Sequence, residues 1–148
     1  MQNFIQEHAV FVIPIAVSFM TQLIKFVLFG LRHGWKWEYL ITHGHMPSSH
    51  TAFAISLLTS VGYYEGISSG TFAVAVALAF LVIDDAVRLR MYLGDQGRYL
   101  NMLVQELHMN TDQFPRLKER VGHRTNEVLA GAFVGFFLSV LFIHFIGS

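Results

Sequence analysis

The stretch AVFVIPIAVSFMTQLIKFVLFGL, Ala9 to Leu31, holds a single charged side chain, Lys25, in an otherwise largely apolar run. A bilayer core takes about 20 residues of α-helix to cross, so a run of this length and purity reads as a membrane-spanning helix. Three further apolar blocks follow: Thr51 to Tyr64, Thr71 to Ile83 and Val128 to Ile146. The two middle blocks are short and reach spanning length only with flanking residues such as Ser48 and Ser49, or Ile67 to Gly70. The expected fold is all-α: an integral membrane helical bundle of about four transmembrane helices plus an amphipathic or interfacial helical segment. One membrane-embedded domain should cover residues 1–148.

A soluble, wholly helical core is the plainer alternative. Composition argues against it, because 53% of the chain is apolar and only 14% is charged, where a soluble domain of this size carries more charge. Formal net charge is zero, so nothing points to nucleic acid as a partner. The chain has no cysteine, which removes disulfides and thiolate chemistry. Met1 to His8 carry no Lys or Arg and the following apolar run is too long for a signal core, so no cleavable signal peptide is expected.

The first helix is expected from about Glu7 to Arg32, with Pro14 a place for a kink. A polar loop, His33 to Met46, precedes a second helix starting near Pro47, since proline suits a first helical turn. Tyr63 to Gly70 is a Gly/Ser turn, and the third helix should end near Asp84 and Asp85. Arg88 to Met109 is amphipathic, suited to lie on the membrane surface or to extend the third helix into water. Thr111 to Arg120 is polar and basic, and the last helix should run from about Asn126 to Phe145.

Four alternating spans put all ten Lys and Arg on one side or in the helix ends facing it. By the positive-inside rule that side is the cytoplasm, and the protein a multi-pass protein of the cell (inner) membrane. Both histidine motifs, Gly44 to His50 and Gly122 to Glu127, lie on this side, where polar loop hands over to apolar helix. Ionisable groups at such an edge are costly to place and suggest a site.

Two histidines, a Glu and several cations are the parts needed to hold and split a phosphate ester. Lys25 and Arg32 are seven residues apart and share a helix face. Either Lys25 snorkels to the interface, or both cations point at a bound phosphate. A helix starting at Pro47 would offer the N–H groups of Ser48, Ser49 and His50 to an anion, with His50 placed to protonate a leaving alkoxide. The alternative is a plain N-cap beside an interfacial His. His123 and Glu127 are four apart on one face, so the carboxylate can fix the imidazole tautomer and leave the other nitrogen free to attack. Alternatively Glu127 is a first-turn acid favoured by the helix dipole. Asp84, Asp85, Arg88 and Arg90 can pair for structure, or Arg90 can clamp a phosphate. His43, His45 and His50 are close enough in sequence to bind a metal, but no clear carboxylate completes the set.

In combination, Lys25-x6-Arg32, Pro47-Ser48-Ser49-His50 and His123-x3-Glu127 resemble the three-part signature of type-2 phosphatidic acid phosphatases and vanadium haloperoxidases. That signature runs Lys-x6-Arg-Pro, Pro-Ser-Gly-His and Ser-Arg-x5-His-x3-Asp. The closer resemblance is to the divergent, small bacterial and plastid branch, with Gly-Met-Pro-Ser-Ser-His, Asp-Ala followed by Arg, Gly-Glu-Gln with Asn beyond, and Gly-His-x-x-x-Glu-Val-x-x-Gly. Here these read His45 to His50, Asp85-Ala86 with Arg90, Gly94-Asp95-Gln96 with Asn101, and Gly122-His123 through Glu127-Val128 to Gly131. The resemblance spans about residues 22 to 135.

It implies a metal-independent hydrolase with no cofactor. His123 would be the nucleophile, Glu127 its orienter and His50 the general acid. Lys25, Arg32, Arg90, Ser48 and Ser49 would hold phosphate, supported by Gln22, Asp85, Gln96 and Asn101. The substrate would be a membrane lipid phosphate monoester or diphosphate, such as phosphatidylglycerophosphate, phosphatidic acid or polyprenyl phosphate. The main family's core has six helices and four are evident here, so a homodimer is one way to enclose the site.

The chain departs from the pattern at several places. His33 follows Arg32 where the main family has Pro, Ser49 and His45 stand in place of Gly, and Arg88 is unusual. Position 117 is Leu where the main family has Ser-Arg, leaving Arg90, Arg116, Lys118, Arg120 or Arg124 to supply that charge. Two other readings fit the same residues. One is a non-enzymatic membrane protein that binds or transports phosphate or lipid head groups. The other is a metal-dependent phosphotransferase using Asp84, Asp85 and Asp95.

Overall fold

The computed structural model of the chain describes residues 6–35, 37, 46–110, 113–119, 121 and 125–147. Among these the regular structure is helical, with no strand. Helix α1 spans Ala9–His33, α2 Ser49–Tyr64, α3 Gly70–Asp84, α4 Arg90–Glu106 and α5 Thr125–Gly147, and a π-helical turn, Asp85–Leu89, joins α3 to α4. Two of them, Ala9–His33 and Thr125–Ile146, are long and apolar enough to cross a membrane. Taken alone, α2 and α3 have 16 and 15 residues. At 1.5 Å per residue these come to about 24 and 22 Å, short of the roughly 30 Å hydrocarbon core.

Helix α2 packs on α1, α5 and α3, and α1 also packs on α5. Helix α1 buries a stripe, Ala9, Ile13, Val17, Thr21 and Lys25, each four residues after the last, with Pro14 and Gly30 buried beside it. Ala9, Ile13 and Val17 form the core with Ala52 and Ile143, and Tyr64, Leu138, Phe142 and Ile146 pack round it. Gln6 Nε2 donates to the Ile146 carbonyl at 2.9 Å, so the start of α1 meets the end of α5. Helix α1 therefore runs antiparallel to α2 and α5, and the far ends of all three gather the charged motifs. The Gly/Ser turn expected at Tyr63 to Gly70 is found between α2 and α3. Gly66 takes φ +84°, open to glycine without strain, and Ser69 caps α3 by accepting the Phe72 N–H at 3.1 Å.

The α2–α5 contact is close because small residues face one another. A Cβ on Gly131 would strike the Ser48 carbonyl, and one on Gly135 would lie 2.5 Å from the Ala52 carbonyl oxygen. One turn on, Ser139 Oγ donates to Ser56 Oγ at 2.6 Å in a fully buried pair. In lipid, where apolar surface gives helices little reason to associate, such backbone approach and shared hydroxyls are what hold two helices together.

The α-helical bonding of α3 ends at Asp84, where the sequence placed the end of the third helix, but the chain stays helical there. It continues through the π turn into α4, where the Arg90 N–H reaches the Asp85 carbonyl five residues back. The two aspartates therefore meet no helix C-terminus, and the dipole penalty expected there does not arise. Of the two courses open to the amphipathic segment, it takes the second and extends the third helix.

Candidate functional site

Lys25 closes the buried stripe of α1 and is only 5% exposed. Snorkelling to the interface is thereby excluded: the side chain faces the bundle, and the opposite charge acting on it is the Glu127 carboxylate on α5. Arg32 shares the helical phase but is exposed. It stands two turns further along, about 10 Å beyond Lys25, after the stripe has run out. The loop chain folds back here: Trp35 covers Gly30, where a Cβ would be 2.7 Å from Cε3 of the indole, and its ring is 5.3 Å from that of Phe26. Aromatic rings of this kind sit well at a membrane–water boundary.

Helix α2 begins at Ser49, so Pro47 precedes the helix instead of occupying its first turn. Ser48 is the N-cap. Its fully buried hydroxyl accepts the Thr51 N–H at 3.4 Å and the Thr51 hydroxyl at 3.0 Å. Its own N–H donates to the Glu127 carbonyl at 3.1 Å. Of the three backbone donors the sequence offered to an anion, one is thus spent on packing α2 against α5. Ser49 is half-buried and His50 exposed, directly after the cap. Gln22 is half-buried one turn before Lys25.

The π turn explains a second pairing. Five residues per hydrogen-bonded ring bring positions five apart to one side, so Arg90 Nε donates to Asp85 Oδ2 at 2.8 Å. Asp84 and Arg88 pair at 3.2 Å. The turn packs on α5. Both aspartates are thus partnered by Arg, and among the described residues no group of three His, Asp or Glu converges as a metal site would require.

On α4, Gly94, Gly97 and Asn101 form a face on which residues 116–119 lie as a strap, with Val121 also close to Gly94. A Cβ on Gly94 would be 2.6 Å from the Glu119 carbonyl oxygen, and one on Gly97 2.8 Å from that of Lys118. Asn101 binds both backbone groups of Leu117: Nδ2 donates to its carbonyl and Oδ1 accepts its N–H, each at 2.9 Å. Nδ2 also donates to Glu119 Oε1 at 3.0 Å, which accepts from Arg116 Nη2 at 2.9 Å. Asn101 and Arg116 together hold the Glu119 carboxyl below the usual carboxylate range. Gln96 is exposed.

A family profile described as "Divergent PAP2 family" matches residues 6–138. The chain belongs to the divergent PAP2 family. It is 30% identical over 144 residues, 88% of this chain and 91% of the relative, to the uncharacterized membrane protein YuiD of Bacillus subtilis (strain 168). No solved structure matches. Membership in the divergent PAP2 family, a membrane protein as relative and two helices of spanning length together support a membrane location.

Against the divergent PAP2 pattern, the fold brings together Lys25, Ser48 and Glu127, with Ser49 and His50 next in line. It leaves Arg32 apart in solvent and gives Arg90 a carboxylate partner. His123, His43, His45, Arg120 and Arg124 lie outside the described residues. The strap was missed from sequence. Its signal was present, in two glycines three residues apart followed by Asn101 on one helical face, but nothing local said what they would face.

Proposed function

We propose that the chain is an integral membrane lipid phosphatase that hydrolyses a lipid phosphate monoester or diphosphate through a phosphohistidine. The substrate class covers phosphatidylglycerophosphate, phosphatidic acid and polyprenyl phosphates. The observation that carries this reading is the meeting of Lys25, Ser48 and Glu127, from three separate segments, at one end of the bundle. Kinship with the divergent PAP2 family supports it.

In this reading His123 attacks phosphorus, and the bond from phosphorus to the lipid oxygen breaks as His50 gives that oxygen its proton. Water then attacks the phosphohistidine and loses a proton to His50. The N–P bond breaks, phosphate leaves and both histidines return to their starting states. Glu127 orients His123, while Lys25 sets a fixed positive charge against the equatorial oxygens. Arg32, Ser49 and Arg90 complete the phosphate contacts. The Asp85 bond uses Arg90 Nε and orients the guanidinium, so its terminal nitrogens would face the anion. Four spans, with α2 and α3 completed by their flanks, put this end on the cytoplasmic face of the cell membrane. A homodimer supplies the enclosure that a bundle smaller than six helices lacks.

A binding protein without turnover is the second reading. The observation favouring it is that Ser48 and Arg90, both assigned to phosphate, already have internal partners. Phosphate release from a panel of lipid phosphates decides between them. The phosphatase reading expects release that ignores chelator, is blocked by vanadate and vanishes in His123→Ala. Lipid binding with no release, identical in wild type and His123→Ala, establishes the binding reading instead.

A further inference from the structure

We propose that the leucine face of α4 is a coiled-coil seam for the same helix of a second copy, so that two chains pair through parallel α4 helices. This gives the homodimer of the reading above a surface. It rests on the membrane location and stands whether or not the chain releases phosphate.

The seam is written in the spacing. Leu89, Leu93, Gln96, Leu100, Leu103 and Leu107 follow one another in alternating steps of four and three residues. That is the a/d repeat by which two helices wind about each other. Leu89 closes the π turn and Leu107 is the C-cap of α4, so the stripe runs the length of the helix. Its leucines are each more than half exposed, as are Tyr92 and Tyr99 on its flank. The strap occupies a different face, that of Gly94, Gly97 and Asn101. Among the helical elements α4 packs substantially on the π turn alone. At about 1.5 Å per residue the helical chain from Gly70 to Glu106 is roughly 55 Å long, against about 30 Å for a hydrocarbon core. Much of α4 therefore reaches past the bilayer, clear of the bundle, with its leucines open.

Area, charge and a single amide select a second copy as the occupant. On the order of 100 Å² stays open on each of the five leucines and two tyrosines, so pairing two copies would cover up to roughly 1,400 Å², within the about 1,200–2,000 Å² of a specific interface. No seam position is charged, so identical faces meet without like-charge repulsion. The charges of α4 are Arg90, Arg98, Asp95 and Glu106, two of each sign. A helix built to lie on anionic lipid carries a surplus of Lys and Arg instead. Gln96 is the one polar residue of the stripe. In register its amide meets its own copy, donor to acceptor, and out of register it faces leucine and loses that bond. A lone polar core residue of this kind fixes the register of a coiled coil. Insertion in one membrane gives both copies the same orientation, which makes the pair parallel and lowers the entropy lost on pairing.

The chain has no cysteine, so single cysteines report without background. Leu93→Cys, Leu100→Cys and Leu103→Cys lie on the seam, and Arg98→Cys and Met102→Cys lie off it. Two differently tagged full-length copies of each variant are co-expressed, their membranes are oxidised, and disulfide dimers carrying both tags are measured. A disulfide needs Cα atoms about 4.4–6.8 Å apart. All three seam positions should therefore cross-link to themselves, several-fold more than either control. Leu100→Glu with Leu103→Glu, added to Leu93→Cys, should abolish the product with the helical circular dichroism unchanged. If that variant does not fold, the single cysteines still decide. Gln96→Leu in the Leu93→Cys background should keep the product. A fluorophore on Leu93→Cys or Leu100→Cys should be quenched by brominated lipid no more than one on Arg98→Cys. Seam positions that cross-link no better than the controls overturn the proposal. So does a product confined to one seam position, which marks an antiparallel pair, or one that joins the chain to a different protein. Stronger lipid quenching on the seam overturns it in favour of a helix lying on the bilayer. Phosphate release is assayed on the same wild-type membranes: its absence strikes the phosphatase reading alone, and missing seam cross-links strike this proposal alone.

Discussion

The backbone N–H of Ser48 donates to the carbonyl of Glu127 across 3.1 Å. This one bond ties the residue before Ser49-His50 to the third residue of α5, so two motifs nearly eighty positions apart share a fixed register. The glycines one and two turns further along α5 make it possible, since any side chain there would push the helices apart.

Gly135→Ala tests that register. The added Cβ would meet the Ala52 carbonyl oxygen at 2.5 Å, backbone that has no rotamer to yield. Overpacking of this kind costs about 1–3 kcal/mol. Thermal unfolding in detergent should fall accordingly, and any activity should fall with it as Ser48 and Glu127 separate. An unchanged Tm with unchanged activity would contradict the packing described.

Lys25→Met should lower activity while costing little stability. Lys25 is only 5% exposed, so losing the ammonium relieves the desolvation of a buried charge as well as removing its attraction to Glu127. Unfolding and phosphate release measured together check this, and a large fall in stability would contradict it.

The two buried hydroxyl sites on α2 should respond in opposite ways. Ser56 receives a bond from Ser139, whereas Ser60 Oγ is buried with no partner among the described residues. Ser139→Ala should cost about 1 kcal/mol, in line with hydroxyl bonds between membrane helices. Ser60→Ala should be neutral or stabilising, because it removes an unsatisfied polar atom. Parallel melts of the two variants provide the check.

Acid should loosen the strap. The Glu119 carboxyl is held below its usual range by Asn101 and then by Arg116. A carboxylate depressed in the folded state adds stability that is fully present above its unfolded value, about 4.3, and is lost as pH falls through the folded value. Protection of the strap against hydrogen exchange, corrected for the intrinsic pH dependence of the amides, should therefore hold near neutrality and fall as the Glu119 carboxyl becomes protonated. Glu119→Gln, which keeps an acceptor for Asn101, should flatten that dependence.

Hydropathy alone was enough to delimit the helices to within a few residues, because burial in lipid demands long apolar runs and little else. Likewise the gathering of Lys25, the Ser-Ser-His segment and Glu127 toward one end of the bundle was expected from the order of the apolar blocks, and the antiparallel course of α1 against α5 produces it. Three features did not follow. The seven-residue spacing of Lys25 and Arg32 gave a common phase, but whether that phase faced lipid or protein depended on where α2 and α5 lay. The continuation through Asp84 and Asp85 depended on a π turn, whose i to i+5 bonding leaves no period in the apolar pattern.

The glycines of α4 and α5 are the clearest case of what remained. A sequence marks where a side chain is missing, and it cannot name the backbone that fills the space, since Ser48, Ala52, Glu119 and Lys118 come from segments brought near only by folding. The helices and the inventory of reactive groups were thus properties of the chain itself, set by solvent and local geometry. Which group meets which, from Lys25 with Glu127 to Asn101 with Leu117, was decided by packing, because those contacts exist only once distant segments have met.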